Sequence, residues 1–195
     1  NSEPFTHSGA VATYEINECT TLYGGWSAGW DTGFYQFGDG STFLGGFSRT
    51  INDDASFTYI TTFGNLGARG DDAYSHSMVL DLQLTERMQT VFQSDVLRVN
   101  GTGEDNFALS NYLFYTLSDR LTIGRRIEWW KGDNVTGYAP HGGDLPPSGS
   151  HSQYESTYGF NYKATGNLTV RPEYRYDWSP GLDYKASSFG IDFVM

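Results

Sequence analysis

The sequence predicts an all-β protein whose strands form an antiparallel transmembrane β-barrel. Aromatic residues make up 16% of the 195 residues, and 24 glycines far outnumber 6 prolines, as expected for strands joined by glycine-containing turns. Runs of about ten residues alternate apolar and polar side chains, which is the period of a strand with two different faces. Mean hydropathy is −0.47, and no stretch approaches the roughly 20 apolar residues that a spanning helix needs.

Alternation is clearest between Leu168 and Trp178. One face of this run carries Leu168, Val170, Pro172, Tyr174, Tyr176 and Trp178, and four of the five residues between them are ionisable. A soluble β-sandwich rarely loads one strand face with so much alternating charge. The run therefore favours a strand with lipid on one side and water on the other.

Other runs follow the same pattern. Each of Tyr74–Leu84, Gln153–Lys163, Leu121–Trp129 and Ser188–Met195 presents an apolar face, although Val79 and Arg125 fall on the unexpected faces of their strands. For Thr42–Ile51 and Phe107–Leu117, the pattern allows either face to point outward. In all, about eleven strands of the roughly 9–11 residues that a barrel requires are predicted.

The predicted connections alternate in length. Short polar turns are expected at 17–18, 52–54, 85–86, 118–119 and 165–167, and longer links near 31–40, 64–72, 99–106, 131–152 and 179–183. This asymmetry is typical of outer-membrane barrels, whose short turns face the periplasm. The first and last predicted strands run in the same direction, whereas single-chain bacterial barrels have even strand numbers. We therefore expect residues 1–195 to form one β-barrel domain that belongs to a larger, even-stranded ring.

Several short strings resemble one family. They include Leu22-Tyr23-Gly24-Gly25-Trp26, Gly29-Trp30-Asp31-Thr32-Gly33, Phe43-Leu44-Gly45-Gly46-Phe47, Gly67-Ala68-Arg69-Gly70, Glu128-Trp129-Trp130-Lys131-Gly132-Asp133 and Asp177-Trp178-Ser179-Pro180. In this combination, over nearly its whole length, the chain resembles the OmpL-like β-barrel porins of the planctomycete type. The resemblance implies an outer-membrane channel, and the chain resembles the C-terminal portion of longer family members. One difference is the end itself, where Val194 and Met195 follow Phe193 in place of a terminal aromatic residue.

Ionisable residues on the polar strand faces are the main candidate site. Strand parity predicts that ten of them line a pore: Arg126, Glu128, Arg171, Glu173, Arg175, Asp177, Asp81, Asp95, Glu155 and Asp192. Rings of charge in a pore filter ions electrostatically, whereas cross-strand salt bridges hold a wall together. Both interpretations stay open, and one residue can serve both purposes.

Aromatic and apolar residues of the opposite parity predict the surface that meets lipid. The predicted lipid-facing residues are Trp129, Tyr174, Tyr176, Trp178, Phe189, Ile191 and Phe193. Trp26 and Trp30 are expected in the same interfacial girdle, while parity places Trp130 with Arg126 and Glu128. A sugar-binding stack inside the lumen is the alternative for these aromatic side chains.

Acidic residues in the loops allow two interpretations. Asp31, Asp39, Asp53, Asp54, Asp71, Asp72, Glu104, Asp105 and Asp133 are of a type common in turns, and oxygen-rich loops can also bind Ca²⁺. No EF-hand spacing occurs, so no cofactor is predicted and loop calcium is only the alternative. No Gly-x-Ser-x-Gly or His-Glu-x-x-His motif occurs either. The histidines, His7, His76, His141 and His151, are expected to be solvated or to lie in the girdle, and no enzyme is predicted.

The favoured function is passive diffusion of small hydrophilic solutes and ions across a bacterial outer membrane. Outer-membrane lipids and the solutes themselves are the expected partners, and a homo-oligomer is left open. A net charge of −11 argues against nucleic acid, which is bound through cationic contacts to phosphates. Two alternatives remain: a soluble Tyr/Trp-rich β-sandwich that binds glycans, and an outer-membrane barrel whose lumen is plugged.

Overall fold

A computed structural model describes residues 6–33, 39–134 and 149–194. These residues form β1 His7–Asn17, β2 Thr20–Trp30, β3 Ser41–Asn52, β4 Ala55–Asn65, β5 Ala73–Thr85, β6 Met88–Val99, β7 Glu104–Ser118, β8 Leu121–Asp133, β9 Ser150–Thr165, β10 Leu168–Ser179 and β11 Tyr184–Val194. A short 3-10 turn, Pro180–Leu182, precedes β11. All eleven strands join one antiparallel sheet in the order of the sequence. The predicted all-β antiparallel fold is confirmed, and the two-sheet sandwich alternative is wrong.

Turns of two residues connect the strands at one end of the sheet. They lie at 18–19, 53–54, 86–87, 119–120 and 166–167. Asn17 and Asn52 stabilise two of them, since each side-chain oxygen accepts a hydrogen bond of 2.9 Å from the backbone N–H two residues further on. Such Asx turns explain why Asn precedes these tight connections.

Connections at the other end are longer on average. They span 31–40, 66–72, 100–103, 134–149 and 180–183, which confirms the predicted asymmetry. The link predicted near 99–106 is shorter than expected because β7 begins at Glu104 instead of Phe107. Asp31, Asp39, Asp72 and Asp183 in these links have φ between 48° and 54°, a left-handed conformation that Asp tolerates better than most residues.

The two faces of the sheet are chemically opposite. The face that we call polar carries buried Thr42, Thr62, Asp95, Ser110 and Glu128, and the face that we call apolar carries exposed Trp26, Phe43, Phe63, Phe92 and Ile127. A soluble protein buries apolar side chains and exposes charged ones. The reversed distribution is that of a transmembrane barrel, whose outer surface meets lipid. It also decides the two ambiguous strands: Phe43 and Phe47 of β3 and Leu109 of β7 lie on the apolar face.

The polar face is concave. A cavity of about 370 Å³ is lined by residues of six successive strands, among them His7, Trp30, Leu44, Ile60, Ser77 and Asp95. β1 and β11 are the two edges of the sheet, and within the described ranges no ladder joins them. In the same part of the chain, no helix is long and apolar enough to cross a membrane.

Ile191→Arg tests the assignment of the apolar face. Ile191 lies opposite Pro172 on that face of β11 and is 48% exposed. An arginine there should lower the free energy of unfolding in lipid by about 2–4 kcal/mol, because a charge near the bilayer midplane is poorly solvated. Urea titration in vesicles measures the loss. Ala186→Arg, on the polar face of the same strand opposite Asp177, is the matched control, and its free energy of unfolding should stay near that of wild type. Equal losses of stability in both variants would contradict the assignment of the two faces.

Candidate functional site

Two neighbouring rows of side chains cross β8, β9 and β10 on the polar face. In the acidic row, Glu128 lies opposite Glu155, and Glu155 lies opposite Asp177. In the basic row, one step nearer the short turns, Arg126 lies opposite Thr157, and Thr157 lies opposite Arg175. Acidic and basic residues two positions apart on a strand, such as Arg126 and Glu128, point to the same face. The register between the strands then aligns the acids in one row and the arginines in the other.

Glu155 is the centre of the ion-pair network. Arg126 Nε donates to Glu155 Oε1 at 2.7 Å, and Arg126 Nη2 donates to Oε2, so that the guanidinium contact is bidentate. Arg175 Nη2 lies 3.0 Å from Glu155 Oε2 on the other side. The Thr157 hydroxyl donates to Glu155 Oε1 at 2.7 Å. One carboxylate thus joins the guanidiniums of two strands.

The outer acids of the row complete the network. Arg175 Nε donates to both carboxylate oxygens of Asp177, at 3.0 and 2.9 Å. Glu128 Oε2 lies 3.8 Å from Arg126 Nη2 and accepts a hydrogen bond of 3.1 Å from the Ser110 hydroxyl. Three carboxylates therefore face two guanidiniums, so the network retains one negative charge.

Burial of the network is uneven. The side chain of Glu155 is 0% exposed, whereas those of Arg126 and Arg175 are 28% exposed. Trp130, Gln153 and Ser179, in the next row toward the longer links, are also buried. A buried carboxylate is stable only when it is paired and hydrogen-bonded, and Glu155 meets both conditions. Its two arginines remain open to solvent on one side.

The structure brings together five of the ten predicted site residues: Arg126, Glu128, Glu155, Arg175 and Asp177. Arg171, Glu173 and Asp192 share the polar face on the side nearer the short turns, with Arg171 opposite Asp192. Asp81 and Asp95 share that face but lie apart on β5 and β6. There they accept hydrogen bonds from Gln89 and Gln93 instead of from arginine.

Aromatic side chains lie on both faces. The seven residues predicted to meet lipid, Trp129, Tyr174, Tyr176, Trp178, Phe189, Ile191 and Phe193, lie on the apolar face. Trp26 does as well and is 49% exposed. His76 joins them, with its ring 5.6 Å from that of Tyr74. On the polar face, parity reasoning passed over Tyr112 and Phe114, which lie opposite Arg126 and Gly124.

The expectation for Trp30 is wrong, because this residue leaves the apolar face. It is 3% exposed and packs with Leu66, Ala73, Leu97 and Val99. The cause is a break in alternation: the ladder with β1 shifts register between Ser27 and Trp30, where Gly29 has φ 95°. A bulge of this kind reverses the parity of the residues beyond it.

The cluster around Trp30 holds the 66–72 link against the polar face. The Trp30 backbone N–H donates to the Leu66 carbonyl at 2.9 Å. The Arg69 guanidinium lies 5.5 Å from the centre of the indole ring and pairs with Glu104 at 2.8 Å. Glu104 also accepts a hydrogen bond of 2.6 Å from Asn106. Glu104, which was expected to be an acidic loop residue, is therefore a buried strand residue. The alternation of Glu104, Asn106 and Ala108 continues the pattern of β7 and could have predicted this earlier start of the strand.

The described residues contain no cluster of three or more His, Cys, Asp or Glu side chains placed to hold a metal ion. Asp31, Asp72 and Asp39 are turn residues, and Asp72 accepts a hydrogen bond of 3.0 Å from the Asn100 side chain. His141 lies outside the described residues. His7, at the start of β1, packs its ring edge-on against Trp30, 6.3 Å between centres.

A single antiparallel sheet with an exposed apolar face and a charged, partly buried polar face defines the class as an outer-membrane β-barrel of the porin type. The chain belongs to the family described as "Putative beta-barrel porin-2, OmpL-like", whose family model matches residues 1–190. This match confirms the family that the short sequence strings predicted. Family and architecture place the chain in the bacterial outer membrane.

Solved structures share the fold at low sequence identity. The outer membrane channel DcaP of Acinetobacter baumannii is similar with a TM-score of 0.67 and 12% identity, over 95% of this chain and 60% of that one. OccK8 (OprE) of Pseudomonas aeruginosa is similar with a TM-score of 0.63 and 16% identity, over 96% and 60%. A loop L8 deletion mutant of OmpT of Vibrio cholerae is similar with a TM-score of 0.61 and 15% identity, over 94% and 61%. The chain thus spans about 60% of the length of these structures, and no curated protein sequence matches it.

Proposed function

We propose that the chain forms part of the wall of a water-filled pore through which small hydrophilic solutes and ions diffuse passively. The observation that carries this proposal is the separation of the faces. All ten ionisable residues predicted to line the pore lie on the concave polar face, while large apolar side chains are exposed on the other. Charged groups are expensive against lipid, so the polar face is the one that meets water. The wall then acts by position and charge, without catalysis.

We also propose that further strands complete the ring. β1 and β11 run in the same direction and would pair in parallel if they closed directly, whereas single-chain bacterial barrels have even numbers of antiparallel strands. In lipid, an unpaired strand edge leaves backbone N–H and C=O groups without partners. Residues 1–195 alone should therefore give no stable single-channel conductance in bilayers, whereas the full-length gene product should. Discrete, reproducible channels from residues 1–195 would contradict this proposal.

A charge-reversal variant tests the polar face as the pore lining. In the full-length protein, Arg171→Glu with Arg175→Glu should increase the preference for cations, because two positive charges are replaced by negative ones beside the pathway. Reversal potentials in a salt gradient measure the change, which should weaken as salt rises. An unchanged reversal potential would argue that neither residue lies beside the path of the ions.

Cysteine labelling measures independently whether positions 171 and 175 are accessible to water. After Cys19→Ser, single cysteines at positions 171 and 175 should react with a water-soluble thiol reagent in intact outer membranes. Matched controls are Tyr174→Cys and Tyr176→Cys, which lie on the apolar face of the same strand and should resist the reagent. Protection of 171 and 175, together with an unchanged reversal potential, would reject the proposed pore lining.

A further inference from the structure

A groove of about 460 Å³ opens on the polar face beside the basic row, on the side of the short turns. Its lining includes Tyr112, Phe114, Gly159, Arg171, Glu173 and Asp192. One row of residues crosses its floor from β7 to β11: Phe114, Gly124, Gly159, Glu173 and Gly190, each opposite the next. Three of the five positions in this row are glycine, so the groove results from missing side chains.

Larger side chains flank Gly124 and Gly159 on both sides of the groove. A Cβ atom at Gly124 would lie 3.1 Å from the Phe114 ring, and one at Gly159 would lie 3.3 Å from Glu173 Cβ. The Phe114 ring, which belongs to β7, thus leans over β8. The Glu173 side chain on β10 leans the other way, toward β11, since a Cβ atom at Gly190 would lie 3.9 Å from its Oε1. From β8 to β10 the floor spans two strand spacings, roughly 10 Å, which accommodates one six-membered ring.

One wall of the groove is aromatic, although the face around it is polar. The rings of Tyr112 and Phe114 are stacked, with centres 6.4 Å apart and planes inclined by 16°. The Arg126 guanidinium lies 5.9 Å from the centre of the Tyr112 ring and fixes its position. Ligand sites typically combine such aromatic surface with a few polar groups that orient the ligand.

Polar groups of both signs lie on the opposite wall. Arg171, Glu173 and Asp192 form no ion pair and no side-chain hydrogen bond within the described part of the chain, in contrast to Arg126 and Arg175. They offer one guanidinium donor group and two carboxylate acceptors. Arg126 and Arg175 also line the groove, but their guanidiniums are paired with Glu155 and Asp177. Among the groups without an ion pair, an anionic solute would meet the carboxylates and a cationic one the guanidinium, whereas hydroxyl groups can hydrogen-bond to both.

From this arrangement we propose that the groove binds one ring of a neutral sugar as it passes along the wall. The apolar face of the pyranose packs on Phe114, and its hydroxyl groups donate to Glu173 and Asp192 and accept from Arg171. The inference rests on the proposed function, since it requires that the polar face line the pore. It adds a solute class and a binding step to what is otherwise passive diffusion.

Current block by glucose and maltose in planar bilayers tests the site in the full-length protein. Each sugar should reduce the current in a saturable manner. Phe114→Ala and Glu173→Gln should each weaken the apparent affinity about tenfold, since a ring contact or a charged hydrogen bond is lost. Phe92→Ala, which removes a similar ring from the apolar face, is the matched control and should leave the block unchanged.

The outcomes separate this site from the pore itself. Conductance without saturable sugar block, or block that Phe114→Ala and Glu173→Gln leave unchanged, overturns the sugar site and leaves the proposed function standing. Block by lysine or glutamate with the same dependence on Phe114 and Glu173, and no block by sugar, overturns the neutral-sugar assignment. Absence of conductance from the full-length protein overturns the proposed function and the sugar site together.

Discussion

Trp30→Ala is expected to lower the free energy of unfolding by about 3–5 kcal/mol, the range observed when a buried tryptophan is truncated. The indole is 3% exposed and contacts a cluster in which Leu66, Leu97 and Val99 are completely buried. Truncation leaves a cavity. This cavity cannot collapse, because backbone hydrogen bonds hold β2 and the 66–72 link in place. It also removes the ring beneath the Arg69 guanidinium.

The same variant should change the current through the pore. The 66–72 link lies against the polar face because Trp30 and the Arg69–Glu104 pair hold it there. Without the indole the link is less firmly held, so we expect a larger and noisier single-channel current. Urea unfolding in vesicles and bilayer recordings measure the two effects.

Trp26→Ala is the matched control for Trp30→Ala. Trp26 lies on the apolar face of the same strand and is 49% exposed, so its truncation opens no internal cavity. A loss of stability and a change in current equal to those of Trp30→Ala would contradict the role assigned to the buried cluster. A normal current in Trp30→Ala would contradict the anchoring of the link.

Glu155→Gln is expected to destabilise the protein by about 3 kcal/mol, at the lower end of the range for breaking a buried ion pair. Glutamine preserves the shape but removes the charge that Arg126 and Arg175 share. Because these two side chains remain 28% exposed, water compensates part of the lost interaction. The pore should also shift toward anions, since the network changes from one excess negative charge to none.

A second substitution distinguishes the ion pair from simple loss of packing. Adding Arg126→Gln to Glu155→Gln removes one guanidinium left without its main partner, so the double variant should regain part of the lost stability. Glu173→Gln, a carboxylate on the same face without an ion pair among the described residues, should stay within about 0.5 kcal/mol of wild type. Additive losses in the double variant would show that the two residues act independently.

Alternation along single strands is what the sequence by itself determined. Side chains on a pleated strand point to opposite faces with a period of two, so each strand carries its own assignment, independent of its neighbours. Strand parity alone therefore places the ten ionisable residues on one face and the seven residues predicted to meet lipid on the other, as the structure has them. The two-residue turns were equally local, because Asn17 and Asn52 hydrogen-bond within their own turns.

Only the tertiary structure decided which of these residues meet. Arg126 and Glu155 are 29 residues apart in sequence, and their contact depends on the register between β8 and β9, which parity alone leaves undefined. The bulge at Gly29 reversed the face of Trp30 through one residue with φ 95°, and the buried Arg69–Glu104 pair required the 66–72 link to fold back onto the sheet. The face to which a side chain points follows from the local stereochemistry of its strand. Which side chains meet across strands follows from the register and curvature of the whole sheet, and no single strand carries that information.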